Sequence, residues 1–260
     1  MKAVDRVLNP LSPPPLPRGL CALAVMTKAP RAGKVKTRLS PPLTPDEAAA
    51  LNICFLRDTT AAISRTANAG GARGIAIYTP IGCEEAYDGT LPIDFNLVPQ
   101  RGDAFGERLA FATEDMLRLG FDSVCLINSD SPSVPHAAFS EAVEILSQPE
   151  ESVVLGPSDD GGYYLIGLKK LHCELFENIA WSTDRVLDQT IDRAAQIGLP
   201  VRLLPTWYDV DDRKTLRRLC EELFPTNGAG NDGFSAPATR HYIDELLKRE
   251  GRDRIWPNES

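Results

Sequence analysis

A cluster of basic side chains lies between residues 28 and 38, directly after a short apolar segment. Closely spaced cations can neutralise a diphosphate, because an arginine binds phosphate oxygens through paired hydrogen bonds and a lysine acts as a point charge. We therefore interpret this stretch as a candidate nucleotide-binding loop, with Lys34 and Arg38 as the best-suited cations. A solvated surface loop paired with nearby acids is the alternative. The candidate residues are Lys28, Arg31, Gly33, Lys34, Lys36 and Arg38.

Neither of the two common glycine-rich phosphate motifs explains this loop. A P-loop reads GxxxxGK[ST], but Lys28 stands at the position of its first glycine and Val35 at that of its serine or threonine. The loop also lacks the GxGxxG pattern of dinucleotide-binding folds. Phosphate binding here would therefore depend on the charged side chains.

Aspartates that follow two apolar segments could hold a divalent metal ion. Asp130 ends a strand-like run in LINSDSPSVP, and Asp209 and Asp211 stand on either side of a valine in TWYDVDD. Carboxylate oxygens suit Mg²⁺ and Mn²⁺, and such ions bridge phosphate groups. Helix capping is the alternative for Asp130, and acids at a helix N-terminus are the alternative for the later pair. We interpret all three aspartates as candidate metal ligands.

The stretch SDDGGYY, residues 158–164, places two carboxylates directly before two glycines and a tyrosine. Glycine permits close approach of the backbone to a ligand, and a carboxylate beside it could act as the base for an acceptor hydroxyl. A tight hairpin is the alternative, since DG and GG are ordinary turn sequences. The catalytic candidates are Asp159 and Asp160, and the substrate-binding candidates are Gly161, Gly162 and Tyr163.

Two isolated residues complete the candidate set. Arg108 lies near the start of a predicted helix and could face a nucleotide, with a plain surface charge as the alternative. Trp181 could stack on a base or a sugar, with core packing as the alternative. We include Arg108 among the nucleotide-binding candidates and Trp181 among the substrate-binding candidates.

The charge distribution favours a small anionic ligand over a nucleic acid. The 260-residue chain has a formal net charge of −8, although residues 1–38 contain eight lysines and arginines and one acid. The rest of the chain is therefore acidic, whereas general nucleic-acid binding requires a broad basic surface. No apolar run approaches the ~20 residues that cross a bilayer, and the proline-rich start lacks the apolar centre of a signal peptide. We expect a cytoplasmic protein without a membrane span.

Alternating apolar runs and helical patterns predict an α/β domain with a mainly parallel sheet. The predicted strands are 20–26, 73–79, 93–99, 123–130, 152–157, the second half of 158–168, and 201–205. The predicted helices are 45–67, 103–119, 136–146, 183–197, 209–224 and 241–249, with a Gly/Asn-rich loop at 226–237. Ligands of such sheets bind beyond the carboxyl ends of the strands. Lys34 and Asp130 should therefore meet in one cleft, and the functional interpretation depends on this convergence.

The motifs together resemble a known bacterial family. KAPRAGKVKTRL, GERLAFA, NSDSPSVP, LGPSDDGGYYLIGL, WSTDRVLDQT and DVDDRKTLRRL occur in this order. As a set they are similar to the rSAM/selenodomain-associated transferases, a glycosyltransferase-A-like group of the nucleotide-diphospho-sugar transferase superfamily. The resemblance covers about Cys21 to Phe224. More distantly, it extends to molybdenum-cofactor nucleotidyltransferases and phospholactate guanylyltransferases. One difference is Asn128-Ser129 before the aspartate, where the family more often has Gly-Thr.

The resemblance implies a Rossmann-like three-layer α/β/α domain that uses a nucleotide-activated donor with Mg²⁺ or Mn²⁺. It implies that the loop from Lys28 to Arg38 holds the donor phosphates and that Asp130 binds the metal ion. It also places the DGG stretch against the substrate and the aspartates of DVD near the metal. We expect a tail at 1–19, a catalytic domain at 20–224 and an extension with a short helix at 225–260.

Three functions are compatible with these expectations. The first is a metal-dependent glycosyltransferase that moves a sugar from a nucleotide-sugar to a small acceptor. The second is a nucleotidyltransferase that condenses a nucleoside triphosphate with a phosphorylated small molecule and releases pyrophosphate. The third is a non-catalytic nucleotide-binding relative. Sequence alone does not decide between the first two, because the cationic loop suits a diphosphate and a triphosphate equally.

Overall fold

The computed structural model describes residues 2–225 and 236–255, and these form seven strands in a single sheet. Each strand is short and apolar, and most strand residues are buried, as in a sheet covered on both faces. The strands are β1 (Cys21–Lys28), β2 (Ala72–Thr79), β3 (Asn96–Pro99), β4 (Ser123–Ile127), β5 (Val153–Pro157), β6 (Tyr163–Leu168) and β7 (Val201–Leu203).

The strand order is β3-β2-β1-β4-β6-β5-β7. Strand β6 runs antiparallel to both of its neighbours, while the other pairings in the sheet are parallel. The prediction of a mainly parallel α/β sheet is therefore confirmed. Strand β6 is reversed because a tight turn, rather than a crossover helix, joins it to β5.

Seven helices in the described chain cover the sheet and its edge. They are α1 (Pro45–Asn68), α2 (Phe105–Arg118), α3 (His136–Ser147), α4 (Val186–Gln196), α5 (Arg213–Leu223), α6 (Pro237–Glu250) and α7 (Arg252–Ile255). Apolar residues of α1 and α3 pack on one face of the sheet, and those of α2 and α4 pack on the other. A third apolar cluster joins the start of α1 to α5, α6 and α7. None of the described helices is long and apolar enough to cross a membrane.

Two segments that were predicted as regular structure are loops, and both belong to the candidate site. Strand β4 ends at Ile127 rather than at residue 130, and after the Asn128 amide, which still donates to the Tyr164 carbonyl of β6, the chain leaves the sheet. Helix α5 begins at Arg213 rather than at residue 209, because the Asp212 side chain accepts a hydrogen bond from the Thr215 amide and caps the helix. Both differences release aspartates from regular hydrogen bonding.

Residues 3–8 are packed, although the sequence predicted a flexible, proline-rich tail over residues 1–19. Residues 11–15 and 17–19 are exposed. Residues Ala3–Arg6 form a 3-10 helix, and Arg6 donates hydrogen bonds to the carbonyl oxygens of Pro92 and Phe95. Val7 pairs with Leu97 beside β3. The prolines indicated an open tail, but the sequence gives no sign of the two carbonyl groups that bind the arginine.

The C-terminal extension is also part of the packed structure. Helix α6 packs against α1, where the Asp58 carboxylate accepts hydrogen bonds from the amides of Ala238 and Thr239. These amides belong to the first turn of α6 and would otherwise lack a partner within the helix. The Gly/Asn-rich loop predicted at 226–237 lies outside the described residues except for its last two positions.

Candidate functional site

Four strand ends bring the predicted segments together at one edge of the sheet. The cationic loop follows β1, Asp130 follows β4, and the DGG turn follows β5. The segment after β7 contacts the loops after β4 and β5. The Val210 amide donates to the Asp130 carbonyl at 2.9 Å, and the Asp159 amide donates to the Trp207 carbonyl at 2.9 Å. The convergence expected from the carboxyl-end rule is therefore present.

Lys36 is the buried centre of this edge. Its backbone is in the left-handed region with a φ of 48°, and its side chain is only 4% exposed. The Nζ atom lies 2.6 Å from Asp130 Oδ1 and 3.0 Å from Asp211 Oδ1, and it donates to the Val210 carbonyl at 2.8 Å. One ammonium thus joins the loop after β1 to the loops after β4 and β7.

The charge of Lys36 is maintained by its partners. Burial alone would lower the pKa of the ammonium, but the negative charges of Asp130 and Asp211 and their hydrogen bonds outweigh burial and raise the pKa above its ordinary value. The second oxygen of Asp211 accepts a hydrogen bond from Arg38 at 2.8 Å. Both oxygens of Asp211 are therefore engaged by cations of the loop.

Asp209 lies beside this pair in a different environment. Its Oδ1 atom accepts hydrogen bonds from Asn128 at 2.8 Å, from Ser158 at 3.2 Å and from Ser131. Burial, reinforced by the nearby charges of Asp130 and Asp160, raises the pKa of Asp209 to about 6 in spite of these donors. The side chain is thus a largely buried carboxylate that titrates close to neutrality.

A cavity of about 340 Å³ opens over the first half of the sheet. We call it the cationic cavity, because its charged lining includes Lys28, Lys34 and Arg108, and the carboxylates at its border are Asp130 and Asp211. Lys34 and Asp130 therefore lie on the same cleft. Lys28 ends β1, Lys34 lies in the loop that follows it, and Arg108 lies on α2, so two separate parts of the chain supply these cations.

A second cavity of about 520 Å³ adjoins the first along Arg38, Asp130 and Asp211. We call it the acidic cavity, because the charged side chains that it does not share with its neighbour are carboxylates. These are Asp160, Asp184 and Asp209. Its apolar wall includes Tyr163 and Trp181, two of the predicted substrate-binding residues. Gly162 also lines this cavity.

Several candidate residues lie beside the cleft without lining either cavity. Arg31 donates to the Cys83 sulfur at 2.9 Å, and Gly33 adopts a φ of +69° in the turn below Lys34. The Asp159 carboxylate pairs with Arg218 on α5. Gly161 closes the turn between β5 and β6, where a side chain would collide with the Asp184 carbonyl at 2.1 Å. The DGG stretch is thus both the hairpin and a wall of the site.

Other lining residues were missed at the sequence level. Two of them line the cationic cavity: Thr79 is the last residue of β2, and Gln100 directly follows β3. The rule that placed Asp130 at the carboxyl edge applies to these strands as well and would have identified both residues. Asn128, which the sequence marked only as a family difference, binds Asp209.

The oxygen atoms at this edge suit a divalent ion in part. Asp130 and Asp209 are close enough for the charge of one to raise the pKa of the other, which is the repulsion that a bound cation relieves. Lys36, however, already binds one oxygen of Asp130 and one of Asp211, and Arg38 binds the second oxygen of Asp211. Among the described residues no three His, Cys, Asp or Glu side chains form a metal cluster. Asp130 and Asp209 therefore fit a metal ion better than Asp211 does.

The chain matches a family without an assigned activity. Residues 62–183 match the family described as "Uncharacterized protein conserved in bacteria (DUF2064)". This range includes Arg108, Asp130 and Asp160 and ends before Asp209. A search of curated proteins finds no match.

Two solved structures show where the fold belongs. The chain is similar to a "putative nucleotide-diphospho-sugar transferase" from Desulfovibrio desulfuricans G20, with 29% identity, coverage of 89% of this chain and 98% of the other, and a TM-score of 0.75. It is also similar to CMP:2-keto-3-deoxy-manno-octonic acid synthetase complexed with CTP, with 11% identity, coverage of 76% and 96%, and a TM-score of 0.50. The second likeness shows the fold alone. Together with the family match, the first supports the resemblance drawn from the motifs.

Replacement of the buried lysine should destabilise the protein. In Lys36→Met, two carboxylates and a carbonyl lose their shared partner, which costs 3–5 kcal/mol where a pair is fully buried. We expect about 2 kcal/mol, because the side chains of Asp130 and Asp211 are 37% and 34% exposed and keep some water. Urea denaturation measures the loss. Lys34→Met, an exposed lysine of the same loop, should change stability by less than about 0.5 kcal/mol, and equal effects of the two variants would contradict the account.

Replacement of Asp209 by asparagine should stabilise the metal-free protein at high pH. A folded-state pKa of about 6, against an ordinary value of 3.8, means that the folded state holds this proton more tightly than the unfolded chain. The stability from the protonated carboxyl is present below about pH 4 and is lost as the pH rises through about 6. Asp209→Asn should therefore gain up to about 3 kcal/mol at pH 8 and nothing at pH 4.

Chelator-treated samples in urea titrations at several pH values provide this test. Asp192→Asn, which removes an exposed carboxylate of α4, is the matched control and should show no such pH dependence. A gain for Asp209→Asn that is constant from pH 4 to pH 8 would refute the buried, raised-pKa description.

Proposed function

We propose that this protein is a metal-dependent glycosyltransferase that moves a sugar from a nucleotide-sugar to a small hydroxyl acceptor. The fold and the 29% identical structure support a transferase that uses a nucleotide. The observation that supports the specific reaction is the change of charge along the cleft: the cationic cavity suits an anionic donor, whereas the acidic cavity does not suit a second anion.

The donor phosphates are assigned to the cationic cavity. This cavity is lined by Lys28, Lys34 and Arg108, which do not take part in the ion pairs of Lys36. Arg108 also donates to the Gly102 carbonyl at 3.2 Å, which holds its guanidinium at the start of α2. Cations in these positions would attract the diphosphate and stabilise the charge that develops on the leaving nucleotide. Lys36 contributes by fixing Asp130 rather than by direct phosphate contact.

A divalent ion is assigned to Asp130 and Asp209. When bound, Mg²⁺ or Mn²⁺ would supply Lewis-acid stabilisation to the diphosphate. Asn128, Ser131 and Ser158 orient Asp209 by holding one of its oxygens. Such fixed orientation reduces the reorganisation that the site needs during the reaction.

The acceptor is assigned to the acidic cavity, next to Asp160. This carboxylate lines the cavity and accepts a hydrogen bond from the Gly162 amide at 2.9 Å, which fixes its position in the turn. It is the better candidate for the base that takes the acceptor proton, because Asp159 lies outside the cavity and is neutralised by Arg218. Trp181 provides a flat surface on the opposite wall for a sugar-like acceptor.

Nucleotidyl transfer is the second candidate, supported by the likeness of the fold to a CTP-binding synthetase. That reaction would join a nucleoside triphosphate to a phosphorylated acceptor and release pyrophosphate. With the divalent ion assigned to Asp209, Asp160 and Asp184 remain in the acidic cavity and would repel such an acceptor. The charge pattern therefore favours glycosyl transfer.

The proposal predicts which nucleotides stabilise the protein and what turnover releases. A panel of nucleotide-sugars and nucleoside triphosphates with Mn²⁺ should raise the melting temperature through ligand binding. Lys34→Gln should weaken this shift, while Lys248→Gln on α6 should not. Product analysis should find a nucleoside diphosphate or monophosphate without pyrophosphate, and Asp130→Asn should lower the rate by roughly 10²–10³.

Each failure has a separate meaning. Pyrophosphate release would replace glycosyl transfer by nucleotidyl transfer. Nucleotide binding without turnover, across all donors in the panel, would favour the hypothesis of a non-catalytic nucleotide-binding protein. A rate for Asp130→Asn equal to that of the unchanged protein would remove Asp130 from the mechanism.

A further inference from the structure

We propose that the acceptor is a small cationic hydroxyl compound, such as an amino sugar or an amino alcohol, which binds in the acidic cavity with its ammonium group near Asp184 and Trp181. This inference rests on the proposed function for the position of the acceptor. It adds the charge class of the molecule, which neither the fold nor the family match indicates.

Among the described residues, no lysine or arginine lines the acidic cavity alone. Arg38 lines it, but Arg38 is shared with the cationic cavity and pairs with Asp211. Asp160, Asp184 and Asp209 belong to the acidic cavity alone. The cavity therefore combines carboxylates with apolar surface, which favours a cation with an organic body.

Trp181 gives the cavity the aromatic wall that such a cation would use. Its ring packs edge-on against Phe105, with ring centroids 5.0 Å apart. Gly106 makes this position possible, because a side chain there would approach the indole nitrogen to 3.0 Å and the Phe176 carbonyl to 2.5 Å. An ammonium near the indole would gain attraction from the ring in addition to the carboxylates.

The position of Asp184 is fixed by the hairpin that supplies Asp160. The Asp184 carbonyl packs directly on Gly161, at a distance that only a residue without a side chain allows. The Leu187 amide donates to the Gly161 carbonyl at 2.8 Å, which ties the start of α4 to the same turn. Asp160 and Asp184 thus stand on adjoining backbone segments, and both residues line the acidic cavity.

The cationic cavity provides a separate place in the cleft for anionic ligands. Lys28, Lys34 and Arg108 line the cationic cavity and not the acidic one. A phosphorylated acceptor in the acidic cavity would meet Asp160 and Asp184 rather than these cations. The same arrangement that attracts the donor phosphates to one half therefore excludes phosphate from the other half.

Three sugars of similar size test this inference by saturation-transfer NMR at low ionic strength and neutral pH. They are glucosamine, glucose and glucose 6-phosphate, which are cationic, neutral and anionic. Glucosamine should bind roughly threefold or more tightly than glucose, the ratio expected for a partly exposed ion pair. Glucose 6-phosphate should bind more weakly than either at this cavity. Asp184→Asn should weaken glucosamine binding more than glucose binding and so reduce the preference for glucosamine.

The control is Asp192→Asn, which removes one exposed negative charge from α4 outside the cavity lining and should keep the preference. Glucosamine binding no tighter than glucose, including no binding by either, would overturn the inference, as would an equal loss in both variants. Nucleoside diphosphate binding measured on the same samples separates the two proposals. Nucleotide binding without a glucosamine preference overturns only the acceptor assignment, whereas absent nucleotide binding overturns the proposed function.

Discussion

The ion pairs of Lys36 hold together the loops from which the site is built. A buried charge destabilises a fold unless partners compensate for its lost hydration, and here two carboxylates and a carbonyl do so. Asp130 follows β4, Asp211 precedes α5, and Lys36 follows β1, so one ammonium connects three distant parts of the chain. The basic loop is consequently a structural element of the cleft as well as a source of charge.

The ion pairs at the boundary of the two cavities neutralise one another, and the remaining charged side chains divide by sign between the cavities. Lys36 and Arg38 balance Asp130 and Asp211 at the boundary of the two cavities. The cations that remain lie over the first half of the sheet, and the carboxylates that remain lie over the second half. A transferase needs such a division when its donor carries phosphate and its acceptor does not. Transfer would then occur at the boundary, beside Asp130.

The sequence predicted the sheet and the meeting of the cationic loop with Asp130, because apolar runs and the carboxyl-end rule are local and general. It ranked Lys34 and Arg38 above Lys36, but it could not show that Lys36 is the buried lysine, since a backbone turn directs that side chain toward distant carboxylates. Asp159 was likewise indistinguishable from Asp160 until Arg218, on a helix far along the chain, was seen to pair with it. What the sequence could not provide was therefore the long-range choice of partner for each charge.

The division of the cleft by charge is tested most directly by a crystal structure with a nucleoside diphosphate and Mn²⁺ bound. The diphosphate should lie in the cationic cavity, within hydrogen-bonding distance of Lys34 or Arg108 and beside Asp130. A diphosphate in the acidic cavity against Trp181, or one bound away from this edge of the sheet, would show that the cleft is not divided in this way.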